Sequence, residues 1–69
     1  MKNRLADLRS ERVWTQADVA QRIGVSRQTI NAIETGKFDP SLPVAFRLAS
    51  VFNLTIEELF IDDQRRAEP

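Results

Sequence analysis

The chain has no cysteine and no histidine among its 69 residues. That excludes disulfide staples and the usual zinc sites. It also leaves no nucleophile–base arrangement, and no paired carboxylates stand in for one, so neither enzymatic activity nor a metal or cofactor is expected. Long apolar runs are missing too, so no membrane span is expected. The first fifteen residues are charged rather than signal-like, which fits a cytoplasmic protein. The length allows one small domain, with no room for a separate ligand-sensing unit, and no small-molecule ligand is evident. A domain of this size buries only about 60% of its unfolded surface, and small domains often gain stability by oligomerising.

Net charge is absent as well, with ten basic residues against ten acidic ones. The basic isoelectric point expected of a whole nucleic-acid-binding domain is therefore not found. The charges are unevenly placed, however. Through Lys37 there are seven basic and four acidic residues, a balance of +3; from Phe38 onward there are three and six, a balance of −3. One basic half is compatible with a single DNA-facing side.

Against these absences stands one stretch, Thr15–Lys37, TQADVAQRIGVSRQTINAIETGK. Val19, Ala20 and Ile23 fall on one face of a short helix, which Gly24 ends. Ser26 is a good N-cap for a second helix, whose apolar stripe is Ile30 and Ile33. Both helix starts repeat one pattern, with Trp14, Thr15 and Val19 in the first matching Val25, Ser26 and Ile30 in the second. Each is a capped start with an apolar residue before the cap and another at the fourth helical position, a hydrophobic staple that fixes the entry angle. Two short helices joined by a tight glycine-containing turn form a helix-turn-helix, whose second helix enters the DNA major groove. Arg27, Gln28 and Asn31 lie near the start of that second helix, away from Ile30 and Ile33. Arginine suits the acceptor pair of guanine, and glutamine or asparagine the acceptor–donor pair of adenine. An ordinary solvated face has the same composition, and only the motif around these residues favours base reading.

The stretch resembles the core of the phage repressor/Cro-type helix-turn-helix family. The Thr-Gln opening, the Ala-x-x-Ile-Gly-Val-Ser turn, the Ile-x-x-Ile-Glu pattern and the Gly36-Lys37 exit all match, and the likeness continues through KFDPSLPVAFRLASVFNLTIEELF, covering about Lys2–Ile61. It implies an all-α, compact five-helix lambda-repressor-like DNA-binding domain over residues 1–61, followed by a charged tail over residues 62–69 that is expected to fray. It also implies that Arg9 pairs with Glu34, tying the first helix to the end of the recognition helix, about Arg27–Thr35. Gln16, at the positive end of its helix dipole, would bridge the DNA backbone and the recognition helix. Ser26, Thr35, Lys37 and the backbone near Phe38 are the further expected phosphate contacts. Trp14 and Pro43 depart from the pattern. Trp14 is expected to pack over the entrance of the second helix, and Pro43 falls in the first turn of the fourth, where a missing amide does no harm.

The remaining segments complete the outline. Residues 2–12 read as the first helix, with Leu5 and Leu8 inward and Asn3 a candidate cap. Ser41 caps the fourth helix, whose core residues are Val44, Ala45, Leu48, Ala49 and Phe52. Asn53 follows in a position that tolerates left-handed φ. Leu54, Thr55, Glu58 and Leu59 form a third staple with a capping box, opening a one-turn fifth helix.

The expected function is sequence-specific binding of double-stranded DNA by a transcriptional regulator. One recognition helix reads only a few base pairs, which implies a homodimer on an inverted repeat. With the basic half on DNA, the interface falls on the acidic half, at Leu54, Phe60 and Ile61; the pair Phe60-Ile61 reads equally as simple core closure, and its β propensity also admits a short strand pairing of two tails. The alternative is a protein-interaction module, such as the antitoxin partner of a toxin. It would bury the Arg27 face or expose a large apolar patch elsewhere.

Overall fold

Capping decides where the helices of this chain begin. In the computed structural model, which describes residues 1–61, Thr15, Ser26, Ser41 and Thr55 all take extended backbone angles and turn their hydroxyl oxygens onto an amide three residues ahead. These caps open α2 (Gln16–Ile23), α3 (Arg27–Glu34), α4 (Leu42–Val51) and α5 (Ile56–Leu59). Two of the starts are full capping boxes. At α5 Glu58 reaches back to the Thr55 amide, as its spacing implied, and at α2 Asp18 does the same for Thr15. The expected tail, residues 62–69, lies outside the described residues.

The first helix is shorter than its sequence suggests. It runs only over α1 (Leu5–Glu11), while β1 (Lys2–Asn3) is extended and pairs antiparallel with β2 (Phe60–Ile61), Lys2 opposite Ile61 and Asn3 opposite Phe60. Asn3 explains the difference. Its Oδ1 accepts the Leu5 amide at 3.0 Å, and its Nδ2 donates to the Ile33 carbonyl at 2.9 Å. The residue thus bonds the start of the helix from one position further out than a cap. The Arg4 amide continues the strand-like course by donating to the Leu59 carbonyl at 2.9 Å.

The core gathers the inward faces of all five helices: Leu5 and Leu8, Val19, Ala20 and Ile23, Ile30 and Ile33, Ala45, Leu48, Ala49 and Phe52, and Leu59. Phe60 joins them at 8% exposure. Of the two roles open to it, core closure and an intersubunit contact, its ring takes the first.

Each of the first four helices is followed by a residue with positive φ: Val13 at 57°, Gly24 at 77°, Gly36 at 77° and Asn53 at 59°. After α1, α3 and α4 the same hydrogen bonds recur. After α1, the Trp14 amide returns to the Arg9 carbonyl and the Val13 amide to Ser10; Lys37 and Gly36 do likewise after α3, Leu54 and Asn53 after α4. This is the Schellman closure, which asks for glycine or asparagine at the left-handed position. Val13 is the exception. A β-branched residue there is strained, and its side chain is 87% exposed, so packing returns little. Val13→Asn is expected to stabilise the fold by roughly 0.5–1 kcal/mol, because left-handed backbone costs an ordinary L-residue about 1–2 kcal/mol and asparagine less. A urea midpoint that failed to rise would show that Val13 is not strained.

Candidate nucleic-acid interface

The site is built on α3. Ser26 caps it, accepting the Thr29 amide at 3.1 Å, and Ile30 and Ile33 are buried beneath it. The opposite face carries Arg27, Gln28 and Asn31, all exposed. The half-buried Ala32 lies at the edge of the same face and was not singled out in the sequence; its methyl is of the kind that contacts thymine.

A three-residue network holds α3 in place. Arg9 Nε donates to Glu34 Oε2 at 2.7 Å and its Nη2 to Oε1 at 3.2 Å, while Nη1 donates to the Trp14 carbonyl at 3.0 Å. Gln16 Nε2 donates to Glu34 Oε1 at 3.1 Å. Since a carboxylate can only accept, this contact fixes which end of the Gln16 amide points inward. The pair is well enclosed, with the Arg9 side chain 20% exposed and that of Glu34 7%. The Glu34 hydrogen bond raises the Arg9 pKa above its already high ordinary value, outweighing burial, so the guanidinium is charged at any working pH.

The start of α2 lies beside the recognition helix. Thr15, Gln16 and Ala17 line an open notch with Ser10, Val13 and, from α3, Arg27. The Asp18 and Val19 amides bond Thr15, whereas those of Gln16 and Ala17 meet no acceptor among the described residues. Such amides are suited to a phosphate oxygen. Asp18 is held below the ordinary carboxylate range, first by the Thr15 amide and then by its hydroxyl, so the capping box is intact at neutral pH.

Donors after α3 are scarcer than the sequence suggests. The Thr35 hydroxyl donates back to the Asn31 and Ala32 carbonyls at 3.0 and 3.2 Å, and the amides of Thr35, Gly36, Lys37 and Phe38 all close the helix end. A phosphate needs a donor, and in this segment the Lys37 ammonium is the one left uncommitted. The Ser26 hydroxyl is likewise engaged, 2.9 Å from the Thr29 hydroxyl.

The arginines tell the same story. Arg4 donates to the Glu58 carbonyl, Arg12 to that of Phe52 and Arg47 to that of Ile23, three bonds that reach helix ends from elsewhere in the fold. Trp14 packs over the entrance of α2, 5.5 Å from the Phe52 ring; the Arg22 guanidinium lies 4.1 Å from its centroid and that of Arg12 5.6 Å. The basic half is therefore largely consumed by the fold. Arg27 and Lys37 remain as exposed cations without a partner among the described residues.

Phe60 is buried, Ile61 is 44% exposed beside Glu34, Thr35 and Gly36, and Leu54 is half-buried. Leu54 lines a groove between α4 and α5 with Phe46, Ala49 and Ile56, and Phe46 and Leu42 of α4 are 58% and 63% exposed. No helix among the described residues is long and apolar enough to cross a membrane.

The Arg9–Glu34 pair can be tested on its own. Arg9→Met is expected to destabilise the fold by about 2–4 kcal/mol, because it leaves a nearly buried carboxylate with Gln16 as its remaining partner, and Arg9→Met/Glu34→Met is expected to recover most of that loss. A double variant no more stable than the single one, by chemical denaturation, would mean that the pair stabilises the fold outright.

The model of the helix-turn-helix family matches residues 5–59. An HTH-type transcriptional regulator of Methanocaldococcus jannaschii is 53% identical over 66 residues, covering 93% of this chain and all of that one. The cryptic phage CTXphi transcriptional repressor RstR of Vibrio cholerae is 37% identical over 62 residues, 90% of this chain and 56% of the repressor. Among solved structures, the restriction-modification controller protein C.AhdI from Aeromonas hydrophila superposes with a TM-score of 0.75 at 30% identity, covering 83% of this chain and 86% of that one.

Proposed function

We propose a function from the premise that the chain belongs to the helix-turn-helix family. It is a transcriptional regulator with a DNA-binding fold, and not an enzyme. The finer reading is that it binds double-stranded DNA sequence-specifically, as a homodimer on an inverted repeat, with a cytoplasmic address to match.

The observation that carries this reading is the α3 face. Arg27, Gln28 and Asn31 stand exposed on a helix whose far end is fixed by Arg9 and Glu34. On this reading they read base edges, a good bidentate pair contributing about 1–3 kcal/mol of discrimination. Lys37 and the start of α2, with Gln16, hold the backbone. Thr35 joins them only by giving up an internal hydrogen bond, and the Phe38 amide likewise, whereas Ser26 keeps its hydroxyl hydrogen when Thr29 donates in their contact. The transcriptional regulator and the phage repressor that the chain resembles favour DNA over an interaction module. Selection of bound duplexes from a random pool is the direct test, with enrichment of an inverted repeat expected at half-site spacings of about 10–10.5 base pairs. Recovery of no preferred sequence would sink specific recognition.

Among the described residues, two uncommitted cations per subunit set the expected electrostatic contribution. With a loss of about 0.9 in log K per decade of salt for each phosphate neutralised, a dimer should show a slope of roughly 2 to 4. Arg27→Ala is expected to cost roughly 1–3 kcal/mol on the selected site and to relax one base pair per half-site, whereas Lys37→Ala weakens all sequences alike and lowers the slope. Equal, sequence-independent losses for both variants would make Arg27 a phosphate contact instead.

For the dimer, Leu54 and Ile61 carry the proposed interface. Phe60 is withdrawn from it, and the exposed apolar residues of α4 supply further area. Ile61→Asp and Phe46→Asp are expected to give folded monomers with much weaker operator binding. Sedimentation that found the wild type monomeric, both free and on its best duplex, would refute the symmetric arrangement.

A further inference from the structure

We propose that Arg47 is a positioning residue for DNA recognition, acting on the turn of the helix-turn-helix from behind through the end of α2; the proposal rests on the DNA-binding reading above. Ile23 is the last residue of α2, so its carbonyl has no partner within the helix. The Gly24 and Val25 amides both return to Ala20, at 2.9 and 3.0 Å, and do not serve it. Arg47 Nη1, from α4, donates to the Ile23 carbonyl at 3.0 Å. The guanidinium also brings a positive charge to the negative end of the α2 dipole.

The strut has a fixed base and a consequential end. On the base side, Ala45, Leu48 and Ala49 bury α4 around Arg47. At the far end it lies beside the turn, since a Cβ added at Gly24 would stand 3.8 Å from Arg47 Nη1. Gly24, Val25 and Ser26 set the angle between α2 and α3, and that angle decides how far Arg27, Gln28 and Asn31 project. The carbonyl that Arg47 holds is the end of α2, where the chain enters the turn. Without the guanidinium, the C-terminal turn of α2 is closed only by the two amides on Ala20, and α3 pivots over a wider range.

The test compares wild type, Arg47→Met and Arg47→Lys in the full chain, on the duplex that the wild type selects. Methionine keeps the apolar stem and helix propensity; lysine restores a cation. Arg47→Met is expected to bind about three- to tenfold more weakly, the scale of one charge-assisted hydrogen bond in a partly solvated place, with the slope of log K against log salt unchanged. Amide hydrogen exchange should quicken at Gly24 and Val25 and not at Leu59, and Arg47→Lys should recover much of the affinity. A slope lowered by about one would make Arg47 a phosphate contact and overturn the proposal. So would a lowered melting temperature with unchanged affinity, or unaltered exchange at Gly24 and Val25. A wild type that selects no duplex overturns the DNA-binding reading and this proposal with it. A wild type that binds, beside a methionine variant that binds equally well, overturns this proposal alone.

Discussion

The arrangement depends on one enclosed carboxylate. Glu34 ends the recognition helix with its side chain 7% exposed, a place where a lone negative charge would be costly. Arg9 answers the charge from α1 and Gln16 takes up a further lone-pair direction from α2, so one side chain fixes three helices relative to each other. Such a pair contributes little net stability, because desolvation offsets most of its attraction. Its effect is geometric. Gln16, with one amide hydrogen turned to Glu34, keeps its second hydrogen and its carbonyl for an outside partner beside the amides that open α2.

Cations in this chain serve the fold before they serve a ligand. Helix carbonyls at a C-terminus need donors, and a small domain has few places to hide them. Arg4, Arg12 and Arg47 supply donors to three such ends, and Arg12 and Arg22 also cover the aromatic pair. Among the described residues, the groups left for a polyanion are Arg27, Lys37, the Gln16 side chain and the amides that open α2. Affinity built that way leans on shape and base-edge contacts more than on charge.

Much of this was legible in the residues. Four hydroxyl caps, the staples at Trp14, Val25 and Leu54, and the apolar stripes of α2, α3 and α4 all follow from local spacing, and the structure places them accordingly. Other features were not legible, for physical reasons. A two-residue strand has no periodicity, and the partner of Lys2–Asn3 stands near the other end of the sequence, so β1 reads as helix. A left-handed valine contradicts its own propensity and is imposed by the closure around it. Phe60 looks like an edge residue because nothing in its neighbours reveals the space it fills. Which carbonyl a guanidinium reaches depends on helices meeting in three dimensions. The Arg9–Glu34 pair was expected only through the family resemblance, and the engaged Thr35 hydroxyl was not expected at all.

The β1–β2 clasp bears on how the molecule assembles. The helices and the turns between them close mainly through bonds a few residues apart, contacts that form early because little chain entropy is lost in making them. The clasp joins Lys2 to Ile61 and gathers nearly the whole described chain into one loop, so its closure carries the largest loop entropy of these contacts. Asn3, within it, also holds the Ile33 carbonyl at the end of α3. When the clasp breathes, the recognition helix loses a tether. The contact that joins the two ends of the described chain is thus coupled to the recognition helix.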